Sequence, residues 1–292
     1  MPAVHWPVTN EQYHADTTHD SPSSVSLFLE DPAEYCRWLQ GKRKSKQSES
    51  MRIGTIAHSL ILEPEKQAFV IPPDEVLSEE GYRKGAAYTE WRKSLGQDTV
   101  ILDKADADKA RWMRDSFMRN KLAVELLHNS TGYEHPIKWT CRRGYNKKAM
   151  FDVLLGLDKE FADIKTTADV SNNAFLRSIL KFGYHRQAAW YAEGLCEYVG
   201  ECRNMHHIVL GNTYPHKCVV YRIPDELVAY GKRQVADALV QIEICKLGLT
   251  PWEPPPQTEP EEINIPGWLV REIEAFGTTD TEEEYDEYGT DQ

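Results

Sequence analysis

At residue 132 the hydrophobic pattern changes period. Upstream, "SSVSLFLEDPAEYCRWLQGK" places serines before an apolar periodic run, a capped helix ending near Gly41. "MRIGTIAHSLILEPEK" is a shorter helix closed by Pro64, and "DKADADKARWMRDSFMRNKLAVELLHNS" is one long amphipathic helix of strong helix formers. Residues 71–102, rich in Gly and Pro, read as largely irregular. Downstream, "GYEHPIKWTCRR", "KKAMFDVLLGL" and "FADIKTT" have the length and residue types of strands. Helical spacing returns over 171–200, with a cap at Ser171 or Asn172 and a break at Gly183. Two further strands, "HHIVLGNT" and "KCVVYRIP", precede a final helix, "DELVAYGKRQVADALVQIEICKLG". A Pro-rich extended segment follows it. Helices first, then a mostly antiparallel sheet with helices interleaved, restrict the fold to the α/β or α+β classes.

Composition narrows the setting. No apolar run approaches the ~20 residues that cross a bilayer, and the N-terminus has no basic stretch followed by an apolar one, so a cytoplasmic protein is expected. The six cysteines contain no C-x-x-C, which points to reduced, structural thiols. Cys196 and Cys202 are neighbours without a second pair, which argues against a zinc or iron–sulfur site. Net charge is −12, but the last 13 residues, "DTEEEYDEYGTDQ", hold seven acids and no base. That tail, 279–292, is expected to be disordered, leaving 1–278 as a single domain with a helical N-terminal part. Basic clusters at 41–47, at 141–148 and around Arg111, Arg114, Arg119 and Lys121 permit a nucleic-acid partner without requiring one.

"AMFDVLLGLDKEFADIK" reads as a β-hairpin. A turn between Leu157 and Asp158 sets 153 opposite 162 and 154 opposite 161, and brings Asp152 across from Asp163. Lys165 lies on the same strand face as Asp163, since side chains two apart share a face. Two carboxylates and an ammonium on one spot suit a hard divalent cation and metal-assisted phosphodiester hydrolysis. A D-x-K triplet alone is equally an ion pair of no consequence. Gln187 and Tyr191, at i and i+4 on the following helix, and His58, behind a glycine on a short helix, shift the balance toward a site.

With these residues in view, the chain resembles the RecE-like and RecB-like exonucleases of the PD-(D/E)XK superfamily, relatives of lambda exonuclease, over roughly residues 20–270. "MRIGTIAHSLILEPE" looks like that family's histidine segment, "FDVLLGLDKEFADIKTTADVS" like its paired acidic motif, and "YHRQAAWYAEG" like its Q-x-x-x-Y motif. Glu134, in "GYEHPIKW", matches an acidic position ahead of the first aspartate, and "EICKLGLTPWEPP…INIPGW" resembles the C-terminal pattern. The resemblance implies an α/β fold with a restriction-endonuclease-like core, in which helices flank a mixed central sheet. It implies metal ligation by Asp152, Asp163, the Ile164 carbonyl and His58. Lys165 is the implied catalytic lysine, with Gln187, Tyr191 and Glu134 in support.

The resemblance further implies an exodeoxyribonuclease acting on duplex DNA ends, 5′ to 3′, with Mg²⁺ and with Mn²⁺ as a substitute. A homo-oligomeric ring and a single-strand annealing recombinase as partner belong to the same expectation, as does recombination in a phage or prophage; no membrane partner is expected. Relatives often carry a basic residue two positions before the first aspartate; here that position is Met150, and Lys147 and Lys148 are the nearby candidates for DNA contact. Ser21, Ser23, Ser24 and Ser26 map loosely onto serines expected to hold a 5′-phosphate. The competing readings are another nuclease of the superfamily, of endonuclease or CRISPR-adaptation type, and a DNA-binding module with a decayed site.

Overall fold

The computed structural model describes residues 2–43, 49–66, 68–78, 81–96, 99–202, 204–253, 256, 258–260 and 262–277. Among them, six strands form one sheet whose order follows the chain: β1 (Val4–His5), β2 (Gly132–Thr140), β3 (Asn146–Leu155), β4 (Glu160–Thr167), β5 (Asn204–Gly211) and β6 (Cys218–Arg222). Neighbours are antiparallel except β4 and β5. A parallel pair needs a crossover rather than a tight turn, and α8 (Asn172–Phe182) with α9 (Tyr184–Val199) supplies it. Gly183, at φ +71°, ends the first of these helices and opens the second, as the sequence suggests. The sheet is therefore mixed, with helices on both faces, which is the expected α/β architecture.

The remaining helices are α1 (Asn10–Ala15), α2 (Pro22–Glu30), α3 (Pro32–Leu39), α4 (Glu49–Leu62), α5 (Ala86–Ser94), α6 (Lys104–Arg119), α7 (Lys121–His128) and α10 (Asp225–Lys246). Two single helices of the sequence reading are pairs. Asp31 is extended ahead of Pro32 and its carboxylate accepts the amides of Ala33 and Glu34, closing α2 and capping α3. Asn120 does the same between α6 and α7: its backbone N–H bonds Phe117 and its side chain accepts from Ala123. Residues 71–102 hold a short 3₁₀ turn, Asp74–Val76, as well as α5. β1 and α1 come from a stretch with no periodic signal.

Two cores sandwich the sheet. On one face Val25 and Tyr35 from the N-terminal helices, Trp190 and Leu195 of α9 and Leu239 of α10 pack on Phe151 and Phe161. On the other, Ile56 of α4 and Phe117 of α6 pack on Val153, Ala162 and Ile164. Strand side chains alternate, so Ala149 and Phe151 share a face, and Val153 and Leu155 should share it too. They pack in the opposite core. β3 thus changes face at Asp152. The chain divides into Met1–Glu253 and Pro254–Gln292, the second containing α11 (Gly267–Gly277). The acidic tail, 279–292, lies outside the described residues. Among these, no helix is long and apolar enough to cross a membrane.

Candidate active site

The hairpin forms with the expected register, Val153 opposite Ala162 and Leu154 opposite Phe161. Beyond that rung the strands part. The Asp152 carboxylate, instead of a backbone carbonyl, accepts the Ile164 N–H at 2.8 Å. The β2–β3 ladder skips at the same level: Tyr133 pairs with Val153 and His135 with Phe151, leaving Glu134 and Asp152 facing each other across the gap. Glu134 sits at φ +45°, a left-handed conformation that a residue with a Cβ adopts at a cost of order 1–3 kcal/mol. It is held there by a hydrogen bond from Asn10 at 3.0 Å and by His58.

His58, on α4, stands between the two acids, with Nδ1 3.1 Å from Glu134 and Nε2 3.0 Å from Asp152. Burial works to lower its pKa; the charges and hydrogen bonds of Asp152 and Glu134 overcome this and raise it to about 10. The imidazole is a charged bridge. Asp152 is likewise opposed by burial, and His58, Lys165 and the Ile164 amide bring its pKa below the usual carboxylate range.

Asp163 and Lys165 occupy the other half of the site. The ammonium lies 2.7 Å from Asp163 Oδ2 and 4.6 Å from the centre of the Tyr184 ring. Oδ1 accepts from Gln187 Nε2 of α9 at 2.9 Å. Burial pushes the Asp163 pKa up against the pull of Lys165, while Lys165, also resisted by burial, is held above its ordinary value mainly by Asp163. The lysine is therefore a firm cation and the aspartate a carboxylate under strain. Tyr191, one turn beyond Gln187, packs its ring on Phe151 and Phe161 and lines the same cleft.

That cleft has a volume of about 740 Å³, and Asp152, Lys165, Glu134, Gln187 and Tyr191 open into it. Ser21, Ser23 and Ser26 line it from the start of α2. Ser24 does not: it is buried, completes the capping box with Ser21, and donates to Asp20. Lys147 and Lys148, expected to meet DNA, are both buried and spent internally. Lys147 bonds the Glu193 carboxylate at 2.9 Å and lies over the Trp190 ring. Lys148 bonds the carbonyls of Tyr13 and Asp16, fastening the N-terminal segment to β3. Neither ammonium is available to a phosphate.

Sequence reasoning missed two residues. Tyr184 forms the wall beside Lys165. His207 pairs with Asp163 in the β4–β5 register, is fully buried with Nδ1 3.8 Å from Asp163 Oδ2, and has no hydrogen-bond partner on either nitrogen. Burial, aided by the Lys165 charge, drives its pKa well down, so it is neutral.

The donors fit a divalent cation. Carboxylate oxygens from Asp152, Asp163 and Glu134 are hard ligands, and the buried Asp163 Oδ2 meets Lys165 without hydrogen-bond alignment. Among the described residues no three His, Cys, Asp or Glu side chains already surround a common point, because the His58 imidazolium fills the space between its two acids. A cation held by His58 would need its imidazole neutral.

The sequence profile of a PDDEXK-like domain of unknown function (DUF3799) matches residues 21–253. The chain belongs to this PDDEXK-like family. Asp163-Ile164-Lys165 is a D-x-K triplet of the kind in the family's name. Among solved structures, the crystal structure of a provisionally designated exonuclease from Eubacterium rectale matches with a TM-score of 0.62 at 16% identity, over 92% of this chain and 99% of its own. At that identity the match establishes the shared fold. No curated protein sequence matches the chain. The PDDEXK-like assignment and the shared fold together support a nuclease.

Proposed function

We propose that the protein is a magnesium-dependent exodeoxyribonuclease that degrades one strand of duplex DNA from its end, 5′ to 3′, leaving single-stranded DNA for recombination. The observation that carries the hydrolytic part is the convergence of Asp152, Asp163 and Lys165 where the hairpin opens, Asp152 and Lys165 lining the cleft and Asp163 buried behind them. Asp152, Asp163, His58 and the Ile164 carbonyl would hold the cation, Mn²⁺ substituting for Mg²⁺. When bound, it supplies Lewis-acid polarisation of the scissile phosphate. Lys165 orients the attacking water and meets the negative charge that develops on phosphorus oxygens. Gln187 keeps Asp163 aimed. Glu134 orients His58 through Nδ1.

The start of α2 suits a terminal phosphate through the Ser23 and Ser26 hydroxyls turned to the cleft, since Pro22 has no N–H and the capping box occupies the Ser21 and Ser24 amides. Polarity, a ring-shaped homo-oligomer and an annealing recombinase as partner rest on the RecE-type resemblance. Mass in solution tests the ring.

The test of activity uses end-labelled linear and closed circular duplex with Mg²⁺. Linear DNA is degraded from its ends and circles survive; Asp163→Ala and Lys165→Ala abolish the activity. Cutting of closed circles would sink the exonuclease reading, and full activity in both variants would sink the site.

A further inference from the structure

A second pocket, of about 530 Å³, opens beyond the C-terminal ends of β4 and β5, between Gly54, Lys109, Trp112, Thr166 and Tyr214. The ends of adjacent parallel strands are where α/β sheets characteristically receive ligands. Two features distinguish it from an ordinary surface hollow. Tyr214 is 90% exposed and Trp112 50% exposed, so two large rings face solvent in one pocket. The loop that carries Tyr214 is pinned, and Trp112 is backed by a buried ring.

Tyr214 projects from the β5–β6 loop, which is pinned at several points. The Gly211 amide donates to Lys217 O, the Asn212 amide to Thr167 O, and the Thr213 hydroxyl to Ala168 O, at 2.7–2.8 Å. Trp112 is backed by the buried His216 ring at 5.2 Å, itself fixed through Nδ1 to Gly211 O at 3.0 Å. An exposed ring on a loop this constrained and another on helix α6 make an organised surface. Their flat faces offer stacking, which is the general means of holding unpaired bases, because every base has a π-face.

The pocket and the cleft have no lining residue in common but adjoin along β4 and α4. Thr166 follows Lys165 in β4, about 3.8 Å along the chain. Gly54 precedes His58 by one turn of α4, and Met51, a turn earlier, lines the cleft. The near-contact of Gly54 with Thr166, where a Cβ would lie 3.0 Å from Oγ1, seats α4 directly on β4. Thr166 faces the opposite side of β4 from Lys165, so a strand whose phosphate lies at Lys165 would reach this pocket by passing over the end of β4 and the start of α4.

We propose that Trp112 and Tyr214 form a stacking site for an unpaired base of the DNA strand that runs from the scissile phosphate. This rests on the nuclease reading and adds a substrate subsite to it. The test measures binding of a single-stranded oligonucleotide carrying 2-aminopurine, and of the same strand made fully abasic, in a Lys165→Ala background that prevents cutting. 2-Aminopurine fluorescence is quenched on binding. Tyr214→Ala and Trp112→Ala each weaken binding of the ordinary strand about ten-fold, leave the abasic strand unaffected and relieve the quenching. Tyr214→Phe and Trp112→Phe retain both.

Tyr214 is so exposed that its truncation leaves the fold intact. Equal weakening of both strands, or of neither, overturns the proposal. So does unchanged DNA binding with an altered mass in solution, which assigns the rings to a contact between copies of the chain. Whether the unmodified protein cuts DNA judges the nuclease reading separately; the abasic comparison judges the pocket whatever that result.

Discussion

Gln187→Ala asks whether Asp163 needs a partner to stay ionised. The Gln187 amide donates to Oδ1 at 2.9 Å, and Oδ2 lies 2.7 Å from the Lys165 ammonium and 3.8 Å from His207 Nδ1. Burial already pushes the Asp163 pKa upward. A hydrogen bond to a charged group contributes about 1.5–3 kcal/mol, and this one favours the carboxylate over the acid. Since one pKa unit corresponds to about 1.4 kcal/mol, its loss raises the Asp163 pKa by a further ~1–2 units; water entering the vacated space keeps the effect toward the smaller figure. A site that works with ionised Asp163 then has its acidic limb displaced upward by the same amount. At a pH below the new limb, activity falls by about 10- to 100-fold, and the deficit closes as pH rises. The assay is kcat/KM on end-labelled linear duplex from pH 5.5 to 9.5. A loss of equal size at every pH refutes the reasoning, because Gln187 would then contact substrate directly. Unchanged kinetics refute it as well.

His58 carries a pKa raised to about 10, so its contribution to metal-free stability is complete below its unfolded value near 6.5 and fades as pH climbs through 10; urea midpoints should fall between pH 7 and 10, and the His58→Ala protein should lack that slope. Because a cation held by His58 would need its imidazole neutral, Mg²⁺ titration at pH 8 releases close to one proton per site, read from the buffer dependence of the calorimetric enthalpy; no release contradicts that ligation. Gly231→Ala sets a Cβ 2.1 Å from the His185 carbonyl oxygen, a backbone atom that cannot turn aside, so α10 lifts from α9 at a cost of about 1–3 kcal/mol, seen as a lower denaturant midpoint at constant m. Lys148→Met leaves the Tyr13 and Asp16 carbonyls without their buried donor, at about 1–3 kcal/mol for each group left unsatisfied; residues 2–20 become protease-sensitive, and a variant with normal melting but weakened DNA binding would restore the DNA-contact role.

The hairpin was legible because its turn leaves little choice of register: once Leu157 and Asp158 are at the tip, Val153 must meet Ala162. The break at Gly183 was legible because only glycine takes that φ cheaply. The splits at Asp31 and Asn120 were lost because apolar spacing continues across them; at Asn120 only a side-chain cap marks the boundary, while at Asp31 the following Pro32 was a signal that could have been read. His207 was invisible for a different reason. Its place beside Asp163 depends on a parallel register set across the whole α8–α9 crossover, which no local pattern encodes. Lys147 and Lys148 could have been read better. Adjacent strand residues point to opposite faces, so two consecutive lysines cannot both meet one DNA backbone; in the fold α9 covers one and the N-terminal segment the other.

The charges around the hairpin opening explain why the sheet gives up its rungs there. Glu134, Asp152 and Asp163 bring three carboxylates together, and His58 and Lys165 answer with two positive charges. One negative charge is left over in a buried setting, where it is costly. The burden falls on Asp163, the member whose pKa is pushed up. A divalent cation arriving as the His58 proton departs balances the set fully, and a monovalent ion in the same exchange leaves it as it was. Regular pairing through Glu134 and Asp152 would have satisfied their backbones and turned the carboxylates along the alternating faces of the strands. The left-handed Glu134 and the face change at Asp152 instead aim both acids at one imidazole. The local backbone strain therefore has an electrostatic counterpart: under the proposed function, the charge count alone would favour a divalent over a monovalent cation before any ligand geometry is considered.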